Sequence, residues 1–261
     1  MASILESEKQ FHIRTSDGDV GKYVILTGDP GRVKEIAEYL DDAKHISTNR
    51  EYVVYTGRLD GEKVSVVSTG IGGPSAAIAV EELIKCGSDT FIRVGTSGGI
   101  DLKVSGGDLV VVTAAVRDEG TSFEYIPASY PAVANFDIVS ALKASSEKVL
   151  EGQNKNYHIG VIQSKDSFYG ETNPEMMPIS EMLLDRWESH IKCGCLASEM
   201  ECSAIFSVAI TRDVRAGAII TAIWNVERHK AGMEDKTDLD STNAIKSAVE
   251  AIRILIEKDK K

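Results

Sequence analysis

Phe91-Ile92-Arg93-Val94-Gly95-Thr96-Ser97-Gly98-Gly99 is the stretch from which the fold is read. It begins as an apolar strand and ends in a turn rich in hydroxyls and glycine. A single arginine stands inside the apolar part. A buried guanidinium without a partner is costly, so Arg93 needs an anion, either a carboxylate of the chain or a bound ligand. A strand that carries it toward Gly95 and Thr96 suggests an anion site at the strand's carboxyl end, where open α/β sheets hold their ligands.

Two glycine turns precede it. Tyr23 to Thr27 reads as a short strand and runs into Gly28-Asp29-Pro30-Gly31-Arg32. Asp29 can cap and Pro30 suits a first helical position, so a helix follows with Val33, Ile36, Ala37 and Leu40 on one face. A helix start presents free N–H groups to an anion, and Arg32 there opposes the helix dipole unless an anion meets it. Glu51 to Leu59 and Glu62 to Thr69 are strands joined by Asp60-Gly61, a hairpin signal. Arg50, beside Glu51, reads most simply as half of a surface ion pair. The second strand leads into Gly70-Ile71-Gly72-Gly73-Pro74-Ser75 and a helix. That spacing partly matches a dinucleotide fingerprint, which needs an acid deep in the next strand. Asp89 lies at the wrong end of that strand and Arg93 holds the deep position, which argues against a nicotinamide enzyme.

Downstream, strands are expected over Asp108–Ala115, His158–Gln163 and Arg215–Trp224, and helices over 137–150, 180–191 and roughly 240–257. Arg117 to Pro131 reads as irregular. Phe168-Tyr169 at a strand end is either core or a platform for a flat ligand. Glu199 and Glu201 bracket Met200 at the head of an apolar helix. They either complement the helix dipole or accept the hydroxyls of a sugar diol. Asn225 to Gly232 is a polar loop long enough to form a lid.

Composition sets the outer bounds. The 261 residues are 43% hydrophobic and 26% charged, an ordinary globular balance, and no linker or repeat interrupts them. One α/β domain spanning 1–261 is expected. The net charge of −11 argues against nucleic-acid and acidic-membrane partners. No apolar run is long enough for a membrane span, and Met1 to Gln10 lacks the apolar core of a signal peptide. Cys86, Cys193, Cys195 and Cys202 have no zinc-like spacing, which suits a reduced, cytoplasmic protein. His12, near the terminus, is either a surface residue or one that reaches a neighbouring subunit.

Taken in order, Gly28-Asp29-Pro30, Ser47-x-x-Arg50-Glu51, Ser68-Thr69-Gly70-Ile71-Gly72-Gly73-Pro74-Ser75, Arg93-x-Gly95-Thr96 and Ser198-Glu199-Met200-Glu201 resemble the nucleoside phosphorylases, specifically the uridine phosphorylase branch. The resemblance implies a single domain with a central mixed, partly barrel-like sheet flanked by helices. It implies dimers that usually build a hexamer, and reversible cleavage of a nucleoside by phosphate without a cofactor. Arg93 and Glu201 would be catalytic. Phosphate would lie on Gly28, Arg32, Arg93 and Thr96, with Arg50 and His12 reaching a neighbouring subunit's phosphate and 5′-hydroxyl. Glu201, with Glu199 and Met200, would hold the ribose. Phe168 would stack on the base, among Glu171, Trp224, Asn225 and Arg228. Glu51, Ile71 and Ser75 match positions that hold a monovalent cation in some members.

One departure concerns the base. The branch reads uracil with a Gln and an Arg after the Phe-Tyr pair, and Gly170-Glu171-Thr172-Asn173-Pro174 contains neither. A lone carboxylate at Glu171 would favour N–H-rich bases such as guanine over uracil. Uridine remains the first expectation. A purine nucleoside is the alternative, followed by a nucleosidase using water and a non-catalytic binder.

Overall fold

The computed structural model describes residues 9–261. The elements are β1 (Tyr23–Thr27), α1 (Pro30–Ala37), β2 (Asp41–Asn49), β3 (Tyr52–Leu59), β4 (Glu62–Ser68), α2 (Gly73–Lys85), β5 (Thr90–Gly99) and β6 (Leu109–Asp118). They continue as β7 (Ala132–Val133), α3 (Phe136–Val149), β8 (Tyr157–Lys165), α4 (Phe168–Thr172), α5 (Ser180–Lys192), β9 (Ala197–Glu199), α6 (Cys202–Thr211), β10 (Arg215–Asn225), α7 (Val226–Lys230) and α8 (Thr242–Asp259).

One mixed sheet runs β10–β6–β8–β9–β5–β1–β4–β3–β2, and β10 pairs a second time with β5. That extra pairing closes β5, β10, β6, β8 and β9 into a ring, which leaves β1, β4, β3 and β2 as an open extension. The partly barrel-like α/β fold is therefore observed. β5 is internal, parallel to β1 on one side and to β10 on the other. The Asp60-Gly61 hairpin forms as expected, both residues taking positive φ (51° and 85°) as a tight turn of this kind requires.

β2 is the element its own residues do not announce. Asp-Asp-Ala-Lys-His-Ile-Ser-Thr-Asn is polar and mostly exposed, and it is a strand because β3 offers it an edge. The Asn225–Gly232 stretch is not an open loop either. It contains α7, capped by the Asn225 carbonyl oxygen accepting from the Glu227 and Arg228 N–H groups.

Side-chain alternation along the strands divides the core between the two sheet faces. In β1, Val24 and Leu26 pack with α2 and α6, whereas Tyr23 and Ile25 pack with α1 and α8. In β5, Phe91 belongs to the first face, and Ile92 and Val94 to the second. Arg93 therefore projects to the face covered by α2 and α6. Both helix starts face it there, and this is where the site is built.

Candidate active site

Arg93 is 3% exposed and is held by two carboxylates. Its Nε donates to Glu199 Oε2 at 3.0 Å, and its Nη2 donates to Glu201 Oε2. The side chain folds back along its own strand: a Cβ at Gly95 would sit 2.8 Å from Nη2, so a larger residue there would have to displace the guanidinium. Nη1 is buried with no hydrogen-bond partner among the described residues. It lies beside Gly28, whose Cβ position would be 4.0 Å from it. A buried guanidinium that leaves one N–H pair unused, next to the glycine turn after β1, presents a charged donor for an anion.

The two glutamates differ. Glu199 accepts from Arg93, from Ser164 Oγ, and from the backbone N–H groups of Glu201 (2.9 Å) and Cys202 (3.0 Å). Burial works against its charge, but Arg93, Ser164 and those N–H groups outweigh burial and hold its carboxyl below the usual range. Both of its oxygens are committed to the protein. Glu199 thereby positions Arg93 and the start of α6. Glu201, the N-cap residue of α6, has fewer partners. Its Oε1 accepts from the Gly72 N–H at 2.5 Å. Burial and the neighbouring Glu199 charge push its carboxyl up, against the pull of Arg93. Arg93 keeps its proton in spite of burial, because both carboxylates favour the charged form. Met200 stands between them, half-buried.

Other residues expected at phosphate have side chains with no hydrogen-bond or ion-pair partner among the described residues. Arg32, in the first turn of α1, and Arg50, at φ 55° just after β2, make no ion pair or side-chain hydrogen bond among the described residues. Arg50 and Glu51 make no direct ion-pair contact. Glu51 instead accepts from Ser75 Oγ at 2.7 Å, and backbone and Ser75 hydrogen bonds hold its carboxyl low, helped by the Arg50 charge. Glu51, the Gly70-Ile71 turn and Ser75 are adjacent, since a Cβ at Gly70 would meet Glu51 Cγ at 2.8 Å and Ser75 Oγ at 3.2 Å. Their oxygens are hard donors of the kind a small cation takes. Thr96 is half-buried, with no side-chain partner among the described residues. His12 is pinned to α2, with its Nδ1 2.6 Å from Glu82 Oε1.

A cavity of about 580 Å³ opens beside the cluster, lined by Gln163, Lys165, Phe168, Glu171 and Trp224 and by the end of β5 at Gly98 and Gly99. Strand alternation sorts its wall from the Arg93 cluster. In β8, Ser164 turns to Glu199 while Gln163 and Lys165 line the cavity. In β9, Glu199 turns to Arg93 while Ser198 hydrogen-bonds Lys165. Phe168 is 52% exposed, with Tyr169 in edge contact and Lys165 Nζ over its ring at 6.0 Å.

Two residues expected at the base are engaged elsewhere. Asn225 is fully buried, and its Nδ2 donates to the carbonyls of Asp101 and Val104 at 2.8 and 2.9 Å. With its carbonyl oxygen capping α7, its hydrogen-bonding capacity is used. Arg228 donates to the carbonyls of Leu102 and Glu234 and lies 3.5 Å from Asp235, pinning the loop. Glu171 does reach the cavity, but not as a lone carboxylate, because Lys165 Nζ is 2.6 Å away. Lys165, Gln163 and Ser198 were missed in the sequence. Only their alternation on strand ends, after Ser164 and before Glu199, signals which way they face.

A family model described as the Phosphorylase superfamily matches residues 22–258. The chain belongs to that superfamily. Within it, this chain is 46% identical to a uridine phosphorylase of Treponema pallidum over 259 residues, 99% of each chain. It is 39% identical to a uridine phosphorylase of Thermococcus kodakarensis over 97% of this chain and 89% of that one. It is also 38% identical to a guanosine phosphorylase of Halorubrum lacusprofundi, over 95% and 97%. These superfamily relatives share nearly the full chain and differ in the base that their names carry.

Proposed function

We propose that this protein is a nucleoside phosphorylase, a pentosyltransferase that cleaves the N-glycosidic bond with inorganic phosphate, and that uridine is its first substrate. The observation that carries the reading is Arg93, buried, fixed by Glu199 and Glu201, with Nη1 unused beside Gly28. Phosphate on Arg93, Gly28, Arg32 and Thr96 would face C1′ of a sugar whose 2′- and 3′-hydroxyls meet Glu201, with Met200 beneath it. Phosphate oxygen bonds to C1′ as the bond to the base breaks and its electron pair leaves with the base. The developing oxocarbenium charge is stabilised by the phosphate dianion and Glu201. A charge-assisted hydrogen bond contributes roughly 1.5–3 kcal/mol, so a few arginine contacts overcome the acidic net charge.

A nucleosidase using water has no use for Arg32, Arg50 and Arg93 at one anion. A purine nucleoside is the second substrate reading, supported by the guanosine phosphorylase relative and by the absence of the branch's Gln and Arg. Arg50 and His12, remote in bonding from the Arg93 cluster, suit sites shared between subunits of a homodimer or hexamer. A monovalent cation at Glu51, Ile71 and Ser75 would sit close to that interface. Four free cysteines fit a reducing cytoplasmic setting and a role in nucleoside salvage. Base release from uridine, thymidine, inosine and guanosine, with and without phosphate, tests the reading: release should require phosphate, with uridine fastest. Equal release without phosphate would replace it with hydrolysis.

A further inference from the structure

We infer that Lys165 and Glu171 together read the base by its lactam edge, the adjacent N–H and C=O that uracil, hypoxanthine and guanine share and that cytosine and adenine lack. The inference rests on the phosphorylase reading and assigns its base-specificity residues. Lys165 is the last residue of β8 and only 8% exposed, a burial that lysine tolerates only with partners. Its Nζ donates to Glu171 Oε1 at 2.6 Å and to Ser198 Oγ at 2.5 Å, and Ser198 Oγ in turn lies 3.1 Å from Glu171 Oε2. An ammonium has three N–H bonds, so one remains, and the carboxylate keeps unused lone pairs. Donor and acceptor are therefore fixed side by side on the cavity wall.

Their placement matches a stacked base. Lys165 Nζ is 6.0 Å from the centre of the Phe168 ring, and both residues line the same cavity with Glu171. A base lying on Phe168 brings its edge to the pair, with its carbonyl oxygen to Lys165 and its N–H to Glu171. This resolves the difficulty that Glu171 raised in the sequence. A lone carboxylate repels uracil's carbonyl oxygens, but the pair accepts at its carboxylate and donates at its ammonium, as an amide does with its two ends. A cytosine or adenine edge offers Glu171 a ring-nitrogen lone pair in place of the N–H, and two acceptors then face each other. Gln163 adds a further acceptor: its Nε2 donates to Asp118 at 2.8 Å and its buried Oε1 has no partner among the described residues. As the glycosidic electron pair moves into the leaving base, negative charge gathers on the ring carbonyl oxygen next to Lys165. The ammonium thus acts on turnover as well as on binding.

The test is phosphorolysis of uridine, cytidine, inosine and adenosine at saturating phosphate by wild type, Lys165→Met and Glu171→Gln. Wild type is expected to prefer uridine over cytidine, and inosine over adenosine, by about 100-fold or more in kcat/KM. Lys165→Met should lose about 100-fold on the two lactam substrates, in kcat as well as KM, and bring both ratios within about 10-fold. Ribose 1-phosphate affinity, which reports the other half of the site, should stay within about 3-fold of wild type and certifies a folded variant. Should Lys165→Met fail to fold, Glu171→Gln decides, because its amide keeps the shape, relaxes the demand for an N–H and should narrow both ratios. An active wild type whose ratios survive in the folded variants overturns the base assignment. A wild type that releases no base from any of the four in phosphate removes the phosphorylase reading itself.

Discussion

Around Arg93 the two carboxylates are buried, whereas around Lys165 the paired charges, though also partnered inside the protein, line an open cavity of about 580 Å³. Both regions pair a buried cation with glutamate, and both draw on β8 and β9. They differ in what holds them. The Arg93 cluster is anchored by β5, β9 and the starts of α2 and α6, so its donors are fixed before any ligand arrives. Such preorganisation suits a group whose charge and shape do not vary, such as phosphate. The Lys165 pair takes one partner from α4, a helix of five residues (Phe168–Thr172) followed by the 173–179 connection, which holds Pro174, Pro178 and a single 3-10 turn (Pro174–Met176). Loops of this kind change more readily than the elements they connect. On the proposed reading, a change of base between relatives named for uridine and for guanosine would fall on the Lys165 half.

The largest expected break comes from Arg93→Ala. Phosphorolysis at limiting phosphate should fall by about 10³-fold or more, as when a preorganised charged donor is removed. The sequence alone predicts a folded variant with a lost anion site, but the structure adds a second effect. Two buried carboxylates lose their cation, so stability should fall by about 3–5 kcal/mol in a denaturant titration. Near-normal activity at limiting phosphate would remove Arg93 from the anion site.

The next comparison sets Glu201→Gln against Glu199→Gln. Glu201→Gln should lower kcat about 100-fold with a modest change in stability, because burial already disfavours its charge. Glu199→Gln should act mainly through stability. Its folded carboxyl titrates below the ordinary value of about 4.3, so its contribution is complete above that pH and disappears as pH falls through the folded value. The variant's stability curve should therefore be lower at neutral pH and flatter on the acid side. A raised folded carboxyl has the opposite sign, so Glu201→Gln should leave that acid limb in place. Equal kcat losses in the two variants would erase the distinction drawn between them.

The smallest effect tests whether either half is completed from another subunit. Arg50→Ala and Glu201→Ala should each be weak or inactive alone, and mixed subunits should regain a fraction of wild-type rate, because some pairings rebuild a whole site. No recovery after subunit exchange, verified by mass spectrometry, would confine Arg50 to its own protomer.

Much of the Arg93 half was legible in the chain. Glycine turns, an arginine in an apolar strand and a Glu-Met-Glu run at a helix start are local signals, and each keeps its meaning whatever packs around it. The base half was read less well. Asn225 and Arg228 sit at the right place in the chain but spend their hydrogen bonds on the carbonyls of Asp101, Val104, Leu102 and Glu234. Glu171 looked unpaired because its partner is six residues back, across the strand end and helix start that bring them together. β2 escaped notice because an exposed edge strand has no hydrophobic alternation to display.

By itself, the sequence determined the order of the main strands and helices, the glycine turns that only positive φ or close approach permits, and the need of Arg93 for an anion. These follow from local backbone preference and from the cost of burying charge, which act residue by residue. Tertiary structure decided which carboxylates answer Arg93, that Glu199 spends its oxygens on Arg93, Ser164 and the start of α6, and that Lys165 joins Glu171 at the cavity. Those choices depend on the closure of β5, β10, β6, β8 and β9 into a ring. Closure sets the register between strand ends far apart in sequence, and register decides which side chains share a face.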